Sequence, residues 1–323
     1  MVQIATLLLL LGMLVPVQWA QTTVTNEQPA SAQTLAAGAG AEDGITTIRK
    51  SVDEVNVIFT ATDKKGRFKK HLKSSDLAVY DDGKPAAAVR SFRSETDLPL
   101  RVGLVLDVSG SITSRFPFEQ EAAISFFNRI LRPSTDQAFV ITFNSVPKLT
   151  QGFTDDPHLL ASGVERLAPG GGTAVYDALY LAATKQFMGK HGDRPVRRII
   201  ILISDGEDNQ SQTTVPEVIE AARRAEVTIY AISSANSNIF SRGDRQMEKF
   251  AEETGGRAFF PTKIEDVVRA FDNIEEELRS QYALSYKPAD FDADGHYRQI
   301  DIQARTDKNL VIRARKGYFA PHR

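Results

Sequence analysis

Four apolar segments in the middle of the chain predict buried strands. They are Val102–Leu106, Phe139–Phe143, Ile199–Ile203 and Val227–Ile232, and none of them alternates between apolar and polar positions. Strands that are buried on both faces show this pattern, which is typical of parallel sheets. Between them, apolar positions recur at helical spacing, and Ile264–Leu278 predicts a long, amphipathic last helix. Strands that alternate with helices over roughly 180 residues predict a doubly wound, mostly parallel α/β domain.

The two flanks of this region follow a different pattern, in which apolar and polar positions alternate. Residues 55–59 and 282–286 both show the period of a half-buried strand. Each flank is too short to form a stable sheet alone. We therefore expect one smaller β-sandwich built from residues 46–96 and 281–323, with the α/β domain (residues 97–280) inserted between them. The alternative is two unrelated hairpin extensions.

The amino-terminal residues predict export. An uncharged apolar run, Ile4–Val17, has about 14 residues, which suits a signal peptide better than a membrane span. We expect residues 1–20 to be a signal peptide that is cleaved near Ala20. Residues 21–45 are rich in Thr, Gln, Ala and Gly and predict a disordered linker. The expected location is secreted or periplasmic, in the cell envelope, and an uncleaved leader would instead anchor the protein in a membrane.

Composition excludes several classes of function. The 323 residues include 39 Lys and Arg against 41 Asp and Glu, and a net charge of -2 provides no basic surface for nucleic acid. The absence of cysteine excludes disulfides, thiolate metal sites and cysteine nucleophiles. With five histidines, any metal must be held mostly by oxygen. The sequence also lacks the phosphate-binding GxxxxGK[ST] motif, so we expect no nucleotide.

Polar side chains gather where the predicted strands end. An Asp-x-Ser-x-Ser stretch follows the first strand, an Asp-Gly pair follows the third, and Gly-Gly-Gly-Thr opens a helix between them. Ligands of open α/β sheets bind at the carboxyl ends of the strands, where strand order reverses, so we expect these loops to meet. Carboxylates and hydroxyls suit Mg²⁺, or Mn²⁺ and Ca²⁺; a hydrogen-bonded cluster of helix caps is the alternative. The candidate metal ligands are Asp107, Ser109, Ser111, Thr173 and Asp205.

These five residues resemble the metal-ion-dependent adhesion site of a von Willebrand factor type A domain. The resemblance covers about residues 97–280, and all five positions of the motif match. The whole chain resembles bacterial secreted proteins related to this family, of the group described from acidobacteria. That wider resemblance rests on three sequence phrases, which are Tyr80-Asp-Asp-Gly83-Lys-Pro, Asp294-Gly-His-Tyr-Arg298 and Arg-Lys-Gly317-Tyr.

The resemblance implies a Rossmann-like fold and a Mg²⁺ site that engages partner proteins. It implies that the two serines and the threonine contact the metal directly or through water, and that the two aspartates hold it, often through water. In related domains the last helix slides when metal coordination changes. The helix predicted at Ile264–Leu278 runs directly into the β-sandwich, so the same sliding here would tilt the sandwich. We hypothesise on this basis that ligand binding is coupled to the angle between the domains.

The expected function is that of a non-enzymatic, metal-dependent protein-binding module outside the cytoplasm. A partner would offer an Asp or Glu carboxylate to the metal, and the sequence assigns no catalytic or cofactor-binding residue. One alternative is an envelope scaffold with a silent metal site. Another is a metal-dependent hydrolase, for which Asp208 or Glu207 would have to activate water. The basic pairs Arg197-Arg198 and Arg223-Arg224 are expected to be solvated.

Overall fold

The structure is a computed structural model, and it describes residues 54–94, 98–165, 167, 169–188, 196–235 and 239–322. The predicted signal peptide (1–20) and linker (21–45) lie outside the described residues. None of the helices in these ranges combines the length and the apolar character that crossing a membrane requires.

Strands and helices alternate in the middle of the chain and strands predominate at both flanks. The described strands are β1 (Val55–Thr62), β2 (Leu77–Asp81), β3 (Lys84–Pro85), β4 (Ala88–Ser94), β5 (Leu100–Asp107), β6 (Gln137–Phe143), β7 (Pro147–Thr154), β8 (Arg197–Ser204), β9 (Val227–Ser233), β10 (Ala258–Phe259), β11 (Tyr282–Lys287), β12 (Tyr297–Ala304), β13 (Val311–Ala314) and β14 (Gly317–Phe319). The described helices are α1 (Phe116–Ile130), α2 (Pro157–Glu165), α3 (Val175–Leu181), α4 (Val215–Arg224), α5 (Arg242–Thr254) and α6 (Ile264–Leu278).

The central sheet confirms the predicted α/β architecture. Its strand order is β10-β9-β8-β5-β6-β7, and adjacent strands are parallel except for β6 and β7. The four apolar segments form β5, β6, β8 and β9. The edge strand β7 was not predicted, because it pairs on one side only and its residues are half-exposed or exposed, so no apolar run marks it.

Helices cover both faces of this sheet, which explains the absence of alternation in its strands. Leu104 and Leu106 pack with α1, α2 and α6 on one face, whereas Val105 packs with α3, α4 and α5 on the other. Strand β5 pairs with β8 on one side and with β6 on the other. Strand order therefore reverses beside β5, and the carboxyl ends of β5 and β8 lie together at this point.

The flanking segments form two four-stranded sheets with a common core, as predicted. The sheet orders are β13-β1-β11-β4 and β14-β12-β2-β3. Strands from opposite ends of the chain pair antiparallel in both sheets, β1 with β11 and β2 with β12. Val57, Phe59, Leu284 and Ile302 are among the residues of the shared core. Pairing between the two flanks explains why neither flank needs to be stable alone.

Basic side chains at the junction of the α/β region and the sandwich correct one expectation. Arg224 is exposed, as predicted, and Arg223 is half-buried. Their guanidinium groups lie over aromatic rings of the sandwich, Arg223 at 4.5 Å from the centroid of Tyr297 and Arg224 at 3.9 Å from that of Phe319. A cation over an aromatic face is stabilised by the ring quadrupole. Arg197 was predicted to be solvated but is buried, and it donates to the side chain of Gln281 at 3.0 Å.

The last helix is joined to the sandwich by a buried acid. Glu277, near the end of α6, is fully buried and forms an ion pair with Arg313 of β13. The hydroxyl of Tyr230 in β9 donates to the same carboxylate at 2.9 Å. One side chain therefore links the last helix, the central sheet and the sandwich.

Candidate metal centre

Asp107 ends β5 and lies at the buried base of the site. Its Oδ1 accepts a hydrogen bond from the backbone N–H of Ser109 at 2.8 Å, and its Oδ2 accepts one from the hydroxyl of Ser204, at the end of β8, at 2.6 Å. Asp107 is fully buried, and this burial raises the pKa of its carboxyl to about 6. Pairing of β5 with β8 thus fixes this carboxylate at the edge of the sheet.

The serines connect Asp107 to the second aspartate. Ser109 Oγ and Ser111 Oγ lie 3.0 Å apart, and the hydroxyl of Ser111 donates to Asp205 Oδ2 at 2.7 Å. The other oxygen of Asp205, Oδ1, accepts from the backbone N–H of Glu207 at 3.1 Å. Four of the five predicted ligands therefore form one continuous chain of hydrogen bonds.

The turn after Asp205 depends on two glycines. Gly206 has a φ of +73°, a conformation that L side chains rarely adopt. Gly243, at the start of α5, packs so closely that an added Cβ would lie 2.3 Å from the carbonyl oxygen of Asp205. The backbone that carries Asp205 is therefore held directly against α5.

The third loop meets the first two through its backbone. Gly170 donates its N–H to the carbonyl of Val108 at 2.8 Å, and Gly110 donates to the carbonyl of Gly171 at 3.3 Å. The N–H of Thr173 donates to Asn209 Oδ1 at 3.0 Å, which ties it to the loop that follows Asp205. The Thr173 residue is buried. The three predicted loops thus converge, with Thr173 held by its main chain.

The donor set fits a hard divalent cation better than a soft one. The site presents carboxylate and hydroxyl oxygens, without nitrogen or sulfur among the five predicted ligands, and oxygen-only sets suit Mg²⁺, Mn²⁺ or Ca²⁺. The described residues contain no group of three or more His, Cys, Asp or Glu side chains arranged to hold a metal. A metal at this place would therefore be held by hydroxyls as well as by acids.

A further acid near the site was not predicted. Glu119, in the first turns of α1, is fully buried, and neither of its carboxylate oxygens has a hydrogen-bond partner. Burial raises the pKa of Glu119 to about 8, and the charge of Asp107 adds to the effect. The sequence feature that could have indicated its burial is its position on the apolar face of α1, three residues after Phe116 and four before Ala123.

Other acids near these loops hold local structure. Asp208 Oδ2 accepts from the hydroxyl of Ser211 at 2.6 Å and from the N–H of Tyr176 at 3.1 Å. Glu207 Oε1 accepts from the N–H of Gly243 at 3.0 Å. Both candidates for water activation therefore use their carboxylates to fix loops and helix starts.

The arrangement of three loops at the end of a parallel sheet agrees with the comparison to known families. The model of the von Willebrand factor type A domain matches residues 102–273, which is just over half of the chain. This protein therefore belongs to the von Willebrand factor type A domain family. No curated protein matches it.

Several solved structures are similar. A von Willebrand factor type A protein from Catenulispora acidiphila is 12% identical with a TM-score of 0.50, and the match covers 77% of this chain and 74% of that one. The PilB minor pilin from Streptococcus sanguinis is 14% identical (TM-score 0.45; 57% and 62% covered). Proximal thread matrix protein 1 from the mussel byssus, with a zinc-occupied MIDAS motif, is 18% identical (TM-score 0.49; 61% and 49% covered). This chain thus spans less than two thirds of the length of the last two proteins. At such identities the likeness concerns the fold alone.

Proposed function

We propose that this protein is a non-enzymatic, divalent-metal-dependent protein-binding module. The observation that carries the proposal is the hydrogen-bonded chain from Asp107 through Ser109 and Ser111 to Asp205, since it brings oxygens from two separate loops to one point. The bound cation would supply an electrophile that accepts a carboxylate oxygen from a partner. We infer Mg²⁺ as the cation, with Mn²⁺ or Ca²⁺ as the alternatives.

Each residue would have a distinct role toward the cation. The hydroxyls of Ser109, Ser111 and Thr173 would be weak donors, which leave a divalent ion electron-poor and receptive to an Asp or Glu side chain of the partner. Asp107 and Asp205 would supply charge close to that of the ion. Ser204 would keep Asp107 oriented, since its hydroxyl donates to Oδ2. Such supporting hydrogen bonds are worth about 10–100-fold in metal affinity.

We also propose an organisation and a location for this module. Residues 97–280 would form the binding domain, with residues 46–96 and 281–323 forming the sandwich that carries it. The apolar run at Ile4–Val17 supports export, so we propose a secreted or periplasmic protein of the cell envelope. A partner protein would then be met outside the cytoplasm.

The test combines metal binding with partner capture. Asp205→Ala and Asp107→Ala are compared with the wild type and with Asp292→Ala, a control at an exposed position between β11 and β12. Calorimetry should show one Mg²⁺ site in the wild type and the control, and none in the two site variants. Capture of envelope proteins on the immobilised chain should require Mg²⁺ and fail in EDTA.

Other outcomes would identify the alternatives. A wild type that binds Mg²⁺ but captures the same proteins in EDTA would favour a scaffold with a silent site. Turnover on a panel of ester and phosphoester substrates would favour a hydrolase. A wild type that binds no divalent cation would contradict the proposal.

A further inference from the structure

Glu119 is buried in a way that its surroundings do not explain. The residue is fully buried on α1, and neither carboxylate oxygen has a hydrogen-bond donor within the described part of the chain. Arg115, one turn earlier along the chain, donates to the carbonyl of Ala235 at 3.1 Å, and its charge favours the charged form of Glu119 without a hydrogen bond to either carboxylate oxygen. Placing a carboxyl in an apolar setting without hydrogen bonds is unfavourable. A partner other than the described residues, such as a water molecule or an ion, would remove this penalty.

A second buried polar group lies in the same layer. The hydroxyl of Ser234, just after β9, is also buried and has no hydrogen-bond partner. Tyr230 and Ile232 point into the core beneath α1 and α6, and side-chain alternation along an extended chain places Ser234 on that face too. The layer between α1 and the carboxyl end of the sheet therefore holds two unsatisfied polar groups, and ordered water is the usual partner of such buried groups.

The carboxyl of Glu119 is also close to the metal loops. The charges of Asp107 and Asp205 raise the pKa of its carboxyl, and the charge of Arg115 lowers it. Helix α1 follows directly from the turn that carries Ser111, so the first turns of α1 lie beside the site. A divalent cation bound at the loops would favour the charged form of this buried carboxyl, because an opposite charge nearby stabilises a carboxylate.

We propose that Glu119 is a third acid of the metal centre, which reaches the cation through a water molecule from the buried side and raises its affinity. The inference rests on the proposed function, because it assumes that the five predicted ligands hold a divalent cation. Glu119 would act as a positioning residue: it holds a water of the cation and the charge balance of the site, and it does not touch the partner.

The test is Mn²⁺ binding by calorimetry in the intact chain. Glu119→Gln removes the charge and keeps the shape, and Glu121→Gln removes one acid from an exposed position of the same helix. We expect Glu119→Gln to weaken Mn²⁺ binding about 10–100-fold, the effect typical of supporting partners of metal sites. Glu121→Gln should stay within twofold of the wild type.

Thermal unfolding without metal separates this role from a structural one. Glu119→Met, an apolar variant of similar length, should unfold at the wild-type temperature or above it in EDTA, since it removes an unpaired buried acid. It should gain less stability from Mn²⁺ than the wild type does. A purely structural glutamate would instead give a lower unfolding temperature in EDTA and an unchanged Mn²⁺ affinity.

Three outcomes of the Mn²⁺ titration would overturn the inference about Glu119. Wild-type Mn²⁺ affinity in Glu119→Gln would overturn the inference and leave the proposed function standing. Equal weakening in Glu119→Gln and Glu121→Gln would also overturn it, because the effect would then be one of overall charge. No Mn²⁺ binding by the wild type would overturn the proposed function, and the inference with it.

Discussion

The close approach of Gly243 to the Asp205 loop gives a sharp prediction about how the site is held. In Gly243→Ala, the new Cβ would lie 2.3 Å from the carbonyl oxygen of Asp205, 2.6 Å from the carbonyl carbon of Gly206 and 2.9 Å from the nitrogen of Glu207. All three are backbone atoms, so no side-chain rotation relieves the contact. The loop must move by about 0.7 Å, the difference between 2.3 Å and the 3.0 Å below which real Cβ contacts do not fall.

The size of the effect follows from two opposing contributions. Adding a methyl group to a closely packed contact lowers the free energy of unfolding by about 1–3 kcal/mol. Alanine is better than glycine in a helix by up to about 1 kcal/mol, and Gly243 lies in the first turn of α5. The net loss in the free energy of unfolding therefore lies between about 0 and 3 kcal/mol. Metal affinity should also fall, by about 10-fold or more, because the moving backbone carries Asp205.

The assay is urea unfolding in EDTA together with Mg²⁺ titration by calorimetry. Gly152→Ala is the matched control, since an added Cβ there meets nothing within 4 Å. The control should keep both the stability and the Mg²⁺ affinity of the wild type. Gly243→Ala with wild-type affinity for Mg²⁺ would refute the reasoning, because the Asp205 loop would then not depend on this contact.

Three further variants test the ligands, the sandwich and the junction. Ser111→Ala removes the hydroxyl that donates to Asp205, and Mg²⁺ binding measured by calorimetry should weaken about 10-fold or more. Phe59→Ala should lower the free energy of unfolding in urea by about 3–5 kcal/mol, because the ring fills the sandwich core. Arg313→Ala leaves the charge of Glu277 buried, and the same assay should show a loss of about 3–5 kcal/mol.

Each of these three predictions has a result that would contradict it. Ser114→Ala, an exposed neighbour, is the control for Ser111→Ala, and equal Mg²⁺ affinities in the two would exclude Ser111 as a ligand. A loss below 1 kcal/mol in Phe59→Ala would mean that the two flanks do not share a core. Wild-type stability in Arg313→Ala would mean that this contact does not join the last helix to the sandwich.

Periodicity was enough to predict the elements that bury their side chains. Strands β5, β6, β8 and β9 lie where the apolar runs are, and α6 spans the predicted Ile264–Leu278. Alternation located β1 and β11, which pair with each other. The edge strands β4 and β7 were harder to predict in detail, because a strand with one neighbour keeps polar, exposed residues and shows no hydrophobic pattern.

The meeting of the site's loops could be predicted from the sequence where a loop directly follows a predicted strand. Three loops at the same edge of a parallel sheet must meet, and the hydrogen bond between Ser111 and Asp205 shows that two of them do. Glu119 was missed because a single acid in a helix normally faces solvent, and only its register with the apolar stripe indicated burial. The stacking of Arg223 on Tyr297 was equally hidden, since the ring lies 74 positions further along the chain.

The central claim is that three loops hold one divalent cation for a partner to reach. The most direct measurement is anomalous diffraction at the manganese edge from crystals grown with MnCl₂. We predict one strong peak among the side-chain oxygens of Asp107, Ser109, Ser111, Thr173 and Asp205. Crystals that contain Mn²⁺ and show no peak at these loops would contradict the account.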